Sequence, residues 1–393
     1  MMLIEQADVF SPEPRGRMDV LVAGGEILAI APHLELGGAG LATAGLCRID
    51  GRGKLLVPGF VDSLVHFIGG GGEAGFASRT PEMQLTDATL GGVTTAVGAL
   101  GTDSTTRTLS NLLAKAHALE TEGISTFCHT GSYQVPCKTV TGQITDDILL
   151  IDKIIGVGEV AISDHRSSQP TSDELRKVAA QARVGGMLAG KGGTVSVHVG
   201  SGESLLQPLY DAVAGTELQL KQFYPTHINR NMPLFLAGLQ FARDGGVIDF
   251  TTSTTDYDLA HGEVAAAKAL ALALAEGISP LQLTMSSDGN ASLPIFSPSG
   301  EVLGLEVGEV KTLHRSFVQA VREFDVPIAA ALTAITASPA AVLGLTRKGQ
   351  VAVGFDADLV LLDSKTLAVD TVIAKGKVLV EQGQARVKGV FER

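Results

Sequence analysis

Residues 154–187 read IIGVGEVAISDHRSSQPTSDELRKVAAQARVGGM. The stretch opens with a β-rich run, Ile154–Ser163. A polar loop follows, and a helix pattern then occupies Ser172–Met187. The same strand, loop and helix theme recurs on both sides. Further β-rich runs are Leu55–Phe67, Val93–Leu100, Ile124–Tyr133, Thr194–Val199, Gln222–His227, Val247–Thr252 and Leu281–Ser287. Helix patterns fall at Pro81–Leu90, Thr106–Leu119, Met232–Asp244 and Gly262–Glu276. Strands that alternate with helices argue for a parallel sheet. Eight such units predict an α/β protein built on a (β/α)8 TIM barrel, spanning residues 58–345.

The two ends differ from this middle. Residues 1–57 carry short strand patterns, Met18–Val22 and Glu26–Ala31, around Gly24-Gly25. Residues 346–393 carry similar ones, Ala357–Leu362, Val369–Ala374 and Lys377–Glu381. Neither end is long enough for a comfortable core of its own. Together they predict a small β-sandwich domain, since two separate flanking sheets would leave more edges exposed.

Bulk composition narrows the classes. Of 393 residues 47 are glycine and none is tryptophan. Charged residues make up 18% and hydrophobic ones 45%, which excludes intrinsic disorder. The formal net charge is −12, and no long basic stretch occurs, so no nucleic-acid partner is expected. The N-terminus, MMLIEQADVF, lacks a basic region before an apolar run, so no signal peptide is read. The apolar stretch Val264–Ala275 is too short to span a bilayer and is interrupted by Lys268, so no membrane partner is expected. Cys47, Cys128 and Cys137 are an odd count without metal-ligand spacing, which fits a reducing compartment. The expected location is cytoplasmic.

In a (β/α)8 barrel, chemistry sits at the C-terminal ends of the strands. His66, His198 and His227 each close or nearly close a predicted strand. Glu159 lies on the fourth, and Asp288 follows the eighth. A single strand-end histidine is usually structural; three with two carboxylates favour a metal. Two histidines and a glutamate are a known catalytic zinc set that leaves a position for water. Glu159, His198 and His227 supply that set, and the metal lowers the pKa of its water to ~7. Asp288 can then accept a proton and return it to a leaving amine. Tyr133 can polarise a scissile carbonyl. Arg166 and Arg230 suit carboxylates. Glu73, after the run Gly69–Gly72, can hold an ammonium group; a solvated glutamate on a flexible loop is the competing interpretation.

These residues resemble the amidohydrolase superfamily, and within it the isoaspartyl (β-aspartyl) dipeptidases. The resemblance covers nearly the whole chain. It is carried by VPGFVDSLVHFIGGGGEAG (57–75), GALGTDS (98–104), TGSYQVP (130–136), AISDHRS (161–167), VSVHVG (195–200), PTHINRN (225–231), SSDGNAS (286–292) and GFDADLVLLD (354–363). It implies a metallo-dipeptidase acting on dipeptides linked through the side-chain carboxyl of aspartate. Glu73 would bind the α-ammonium group. Arg166, Arg230 and Ser292 would bind carboxylates, with Thr102 nearby. Tyr133 would polarise the amide carbonyl, and Asp288 would act as base and then acid. A large homo-oligomer is also implied.

The chain departs from the family pattern at one metal. The family's first strand carries His-x-His, whereas here it reads Leu64-Val65-His66. The family's bridging carbamylated lysine corresponds to Glu159. Both changes strike the same metal, so one zinc per chain is expected, with two as the alternative. His66 would be a weak ligand or hydrogen-bonding neighbour, and Asp288 an additional ligand candidate. Two other functional readings compete: an N-acyl amino acid deacylase or similar amide hydrolase, and a non-enzymatic binding or scaffold barrel.

Overall fold

The computed structural model describes residues 1–35, 45–297 and 302–392. Six parallel strands lie side by side in chain order: β1 (Phe60–Val65), β2 (Val93–Gly98), β3 (Ser125–Thr130), β4 (Ile154–Ile162), β5 (Thr194–Val199) and β6 (Phe223–Thr226). Two more, β7 (Ile248–Thr251) and β8 (Leu283–Ser286), pair in parallel with each other. Backbone hydrogen bonds continue the run at both ends. The Ile228 amide, just past β6, donates to Asp249 O at 3.1 Å, and the His66 amide donates to Gly289 O at 2.8 Å. The result is a curled parallel sheet flanked by helices, a mixed α/β fold.

Local signals explain the helices. Thr171 caps Ser172–Ala189 through a reciprocal pair with Glu174, and Gly190 ends it in the left-handed region. The predicted helices near 106, 232 and 262 form as Leu109–Glu122, Met232–Arg243 and Ala266–Ala275. The Pro81–Leu90 pattern yields only Leu85–Thr89, because the preceding residues run extended and the Met83 amide bonds Phe67 O at 3.0 Å. Helices Ile144–Leu150, Gln207–Val213, Thr312–Glu323, Ile328–Ile335 and Ala337–Val342, and the hairpin Ser292–Phe296 with Val302–Val307, lie outside the predicted elements. Among the described residues no helix is long and apolar enough to cross a membrane.

The predicted run Leu55–Phe67 is two strands. Lys54–Pro58 pairs antiparallel with Leu359–Asp363, whereas β1 pairs with β2. Gly59 is the joint, since a Cβ there would stand 2.1 Å from Thr94 Oγ1. Strands from both chain ends join one nine-stranded sheet. Its alternation shows how it is placed. Leu359 and Leu361 enter a small core with Ile4, Val20 and Leu56, while Val360 and Leu362 enter the large core around the parallel strands. Side chains of period two thus seat this strand between two apolar layers.

Candidate metal centre and substrate pocket

Strand β4 contains one residue more than its neighbour. Val157 pairs with Val195 and Val160 with Val197, so Gly158-Glu159 forms a bulge. The bulge requires Gly158, because a Cβ there would lie 2.5 Å from Ser196 O. Glu159 is fully buried, and its Oε1 lies 3.1 Å from His198 Nδ1 and 3.1 Å from His227 Nε2. Ligand-capable atoms of these three residues all fall within 4.8 Å of one another.

Their outer partners fix what these atoms can do. His198 Nε2 is 2.9 Å from Asp164 Oδ2, and His227 Nδ1 is 2.5 Å from Thr251 Oγ1. With those nitrogens donating, His198 Nδ1 and His227 Nε2 turn lone pairs toward Glu159. Three acceptors then converge on one point, an arrangement that a cation reconciles. Glu159 Oε2 is buried and has no hydrogen-bond partner among the described residues. Burial and neighbouring His198 push His227 down to about 4, leaving the neutral form a metal needs. The donor set fits a divalent cation.

His66 lies outside this trio. Its Nδ1 is 3.1 Å from Ala99 O, and its Nε2 is 3.1 Å from Asp288 Oδ1. Burial alone would lower its pKa, but the bond to Asp288 and the nearby carboxylate charges push it up to about 9. Burial opposes the Asp288 charge, while His66 lowers its carboxyl and keeps it an acceptor. Leu64, two residues before, is buried and offers no ligand atom. His227 and Asp288 sit just past their strands with φ of 63° and 51°, a left-handed geometry typical of functional strand ends.

A cavity of about 490 Å³ opens above. Glu73, Thr102, Arg166, Arg230 and Ser292 all border it, as do His66, Tyr133, His198, His227 and Asp288; Glu159 lies buried beneath. Tyr133 OH is 2.8 Å from His198 Nδ1. Burial pushes that phenol well above its usual pKa, so it stays a donor. Thr102 Oγ1 donates to Glu73 Oε1 at 2.7 Å, and Arg166 Nη1 lies 3.5 Å from the same oxygen. Arg230 Nε is buried without a partner among the described residues. Gly71, at φ 72°, lets Ser292 approach; a Cβ on it would stand 2.8 Å from Ser292 Cβ.

Three residues carry no predicted role. Asp164 joins His198 to Arg166; its place two residues before that arginine was the signal available. Glu263 borders the cavity from a loop, accepts from Thr254 Oγ1 at 2.5 Å, and is pushed by burial up to about 7. No strand-end argument reaches it. His129, in register with Gly156 on β4, is buried with neither ring nitrogen bonded among the described residues. Burial pushes it down to about 4, so it is neutral.

Residues 263–379 match the model of the amidohydrolase family. The chain is similar to the crystal structure of β-aspartyl dipeptidase from the thermophilic, keratin-degrading Fervidobacterium islandicum AW-1 in complex with β-Asp-Leu. Identity is 42%, coverage is 98% of each chain, and the TM-score is 0.89. A second structure of the dipeptidase from that organism gives 41% identity, 98% coverage of each chain and a TM-score of 0.87. D-Hydantoinase (dihydropyrimidinase) from Thermus sp. shares the fold, with 17% identity, a TM-score of 0.67, and coverage of 100% of this chain and 98% of that one.

Proposed function

The chain belongs to the β-aspartyl dipeptidase family of amidohydrolases, and from this we propose that it is a metal-dependent hydrolase of β-aspartyl dipeptides. The observation that carries the reading is the charge pattern of one cavity. A buried cation cradle, Glu159, His198 and His227, lies below the Glu73 carboxylate and two guanidiniums, Arg166 and Arg230, in a cavity that Asp258, Glu263 and Asp288 also border. A β-aspartyl dipeptide brings one ammonium and two carboxylates.

Each side chain then has a task. Glu73, oriented by Thr102, holds the ammonium group. Arg166, Arg230 and Ser292 receive the carboxylates. Tyr133 donates its proton to the scissile carbonyl oxygen, where negative charge develops. Asp288, ionised and steadied by His66, accepts a proton from water and returns it to the leaving amine. Glu159, His198 and His227 would hold a divalent cation, which would supply Lewis-acid activation of water and carbonyl. Two imidazoles and one carboxylate favour zinc, and Leu64 favours one ion per chain.

The same reading covers the architecture. The bonds at both ends of the parallel run support a closed (β/α)8 barrel over 58–345. The separate small core supports a β-sandwich unit from 1–57 and 346–393. A homo-oligomer is supported by Leu150, Met187 and Leu188, which are 65–71% exposed on neighbouring helices. Three free cysteines support a cytoplasmic location.

Turnover of β-Asp-Leu against α-Asp-Leu, with and without added zinc, tests the function. Zinc-dependent cleavage of the β-linked peptide alone is expected. No cleavage of it under any metal condition overturns the proposal.

A further inference from the structure

Asp164 stands two residues past β4 and faces two functional groups at once. Its Oδ2 lies 2.9 Å from His198 Nε2 and accepts from Arg166 Nη2 at 2.8 Å, and Nη2 itself lies 3.1 Å from that imidazole nitrogen. Its Oδ1 accepts from Arg166 Nε at 3.0 Å and from the Arg166 amide at 2.8 Å. The carboxylate therefore grips the guanidinium as a fork, the geometry that fixes an arginine best. Its side chain is 5% exposed, so water competes little for these bonds.

The surrounding chain is shaped to hold it there. Ser163, just before, has φ 52°. The loop after β5 closes against it, and the Gly202 amide donates to Ser163 O at 2.7 Å. A Cβ on Gly200 would lie 2.6 Å from Asp164 Cβ, so the loop carrying the chain on from His198 can approach only as glycine.

We propose that Asp164 is a positioning residue that serves both halves of the site, orienting the His198 ring toward the cation and the Arg166 guanidinium toward the substrate carboxylate. The inference rests on the dipeptidase reading for the role of Arg166, but its His198 half stands on the donor geometry of this chain. A carboxylate behind a ligating imidazole fixes the tautomer and raises ligand basicity; losing one typically costs 10–100-fold in metal affinity.

Asp164→Asn and Asp164→Ala test it through zinc affinity, measured by chelator competition, and through KM for β-Asp-Leu. Zinc binding about 10–100-fold weaker, together with a raised KM, is expected in both variants. A second measurement needs no variant of Asp164. In 15N-labelled, zinc-loaded parent protein, the His198 Nε2–H signal, assigned by its loss in His198→Gln, should appear downfield as a strongly hydrogen-bonded imidazole. Zinc affinity and KM within twofold of the parent in a folded Asp164→Asn protein overturn the inference. So does a solvent-exchanging His198 without that signal. If the parent binds zinc but never cleaves β-Asp-Leu, the dipeptidase reading fails, while the zinc-affinity result still decides the His198 role.

Discussion

The Tyr133 hydroxyl lies 2.8 Å from His198 Nδ1, the nitrogen that also faces Glu159 Oε1 at 3.1 Å. The phenol is thus within reach of the cation cradle without belonging to it. Its ring centre also lies 5.3 Å from the Arg166 guanidinium carbon. A protonated phenol at this point suits an oxyanion donor. Removing one such donor costs about 10²–10³ in kcat. Tyr133→Phe is therefore expected to lose about that much in kcat while keeping its zinc content. Steady-state kinetics with metal analysis check this; unchanged kcat would remove Tyr133 from the chemistry.

Much of this site was legible because strand ends and short motifs coincide. His66, His198 and His227 emerge from strand-end position alone, and Glu73, Tyr133 and Arg166 sit in contiguous runs. What escaped depends on contacts across the chain. The β4 bulge adds one residue between Val157 and Val160, and only pairing with β5 reveals it. Glu263 reaches the cavity from a loop whose sequence has no strand-end position. The hairpin Ser292–Phe296 with Val302–Val307 also stayed hidden, although Leu293 and Leu305 on it border the cavity.

His66 and Asp288 form a pair beside the cradle, with Nε2 and Oδ1 3.1 Å apart. The imidazole holds the carboxylate ionised and aims it. Asp288→Asn keeps the size of the side chain but loses the basic oxygen. Hydrolysis is expected to fall below detection while the circular dichroism spectrum and melting temperature stay close to those of the parent. An active asparagine variant would show that another group takes the proton.

Glu159 supplies the only carboxylate in the described metal cluster. Glu159→Gln replaces its charge with a neutral amide, which cannot offset a buried dication. Purified parent protein is expected to hold about one zinc per chain by plasma mass spectrometry, and the glutamine variant close to none after dialysis. Leu64 offers no ligand, so two tightly held metals per chain in the parent would reject the one-ion centre.

Asp62 carries a pH dependence of stability that is separate from catalysis. Its Oδ1 accepts from the Ser287 amide at 3.1 Å, while its buried Oδ2 has no partner among the described residues. Burial pushes the carboxyl up to about 7 from an unfolded value of 3.8. Between those values the folded chain keeps a proton that the unfolded chain has shed. Stability from this group is therefore complete below about pH 4 and is lost as pH rises through 7. The shift corresponds to roughly 4 kcal/mol at most. Asp249, pushed by burial up to about 6, works in the same direction. His129 and His227, pushed down to about 4, work in the opposite direction, so the expectation is a loss of parent stability from pH 5 to pH 8 relative to a variant without the Asp62 carboxyl. Asp62→Asn keeps the Oδ1 acceptor but cannot titrate, so its curve should lack that loss and keep the contributions of Asp249 and the two histidines. Thermal melts across that range decide it: parallel curves for parent and variant would mean that the Asp62 carboxyl is already ionised in the folded chain at pH 5.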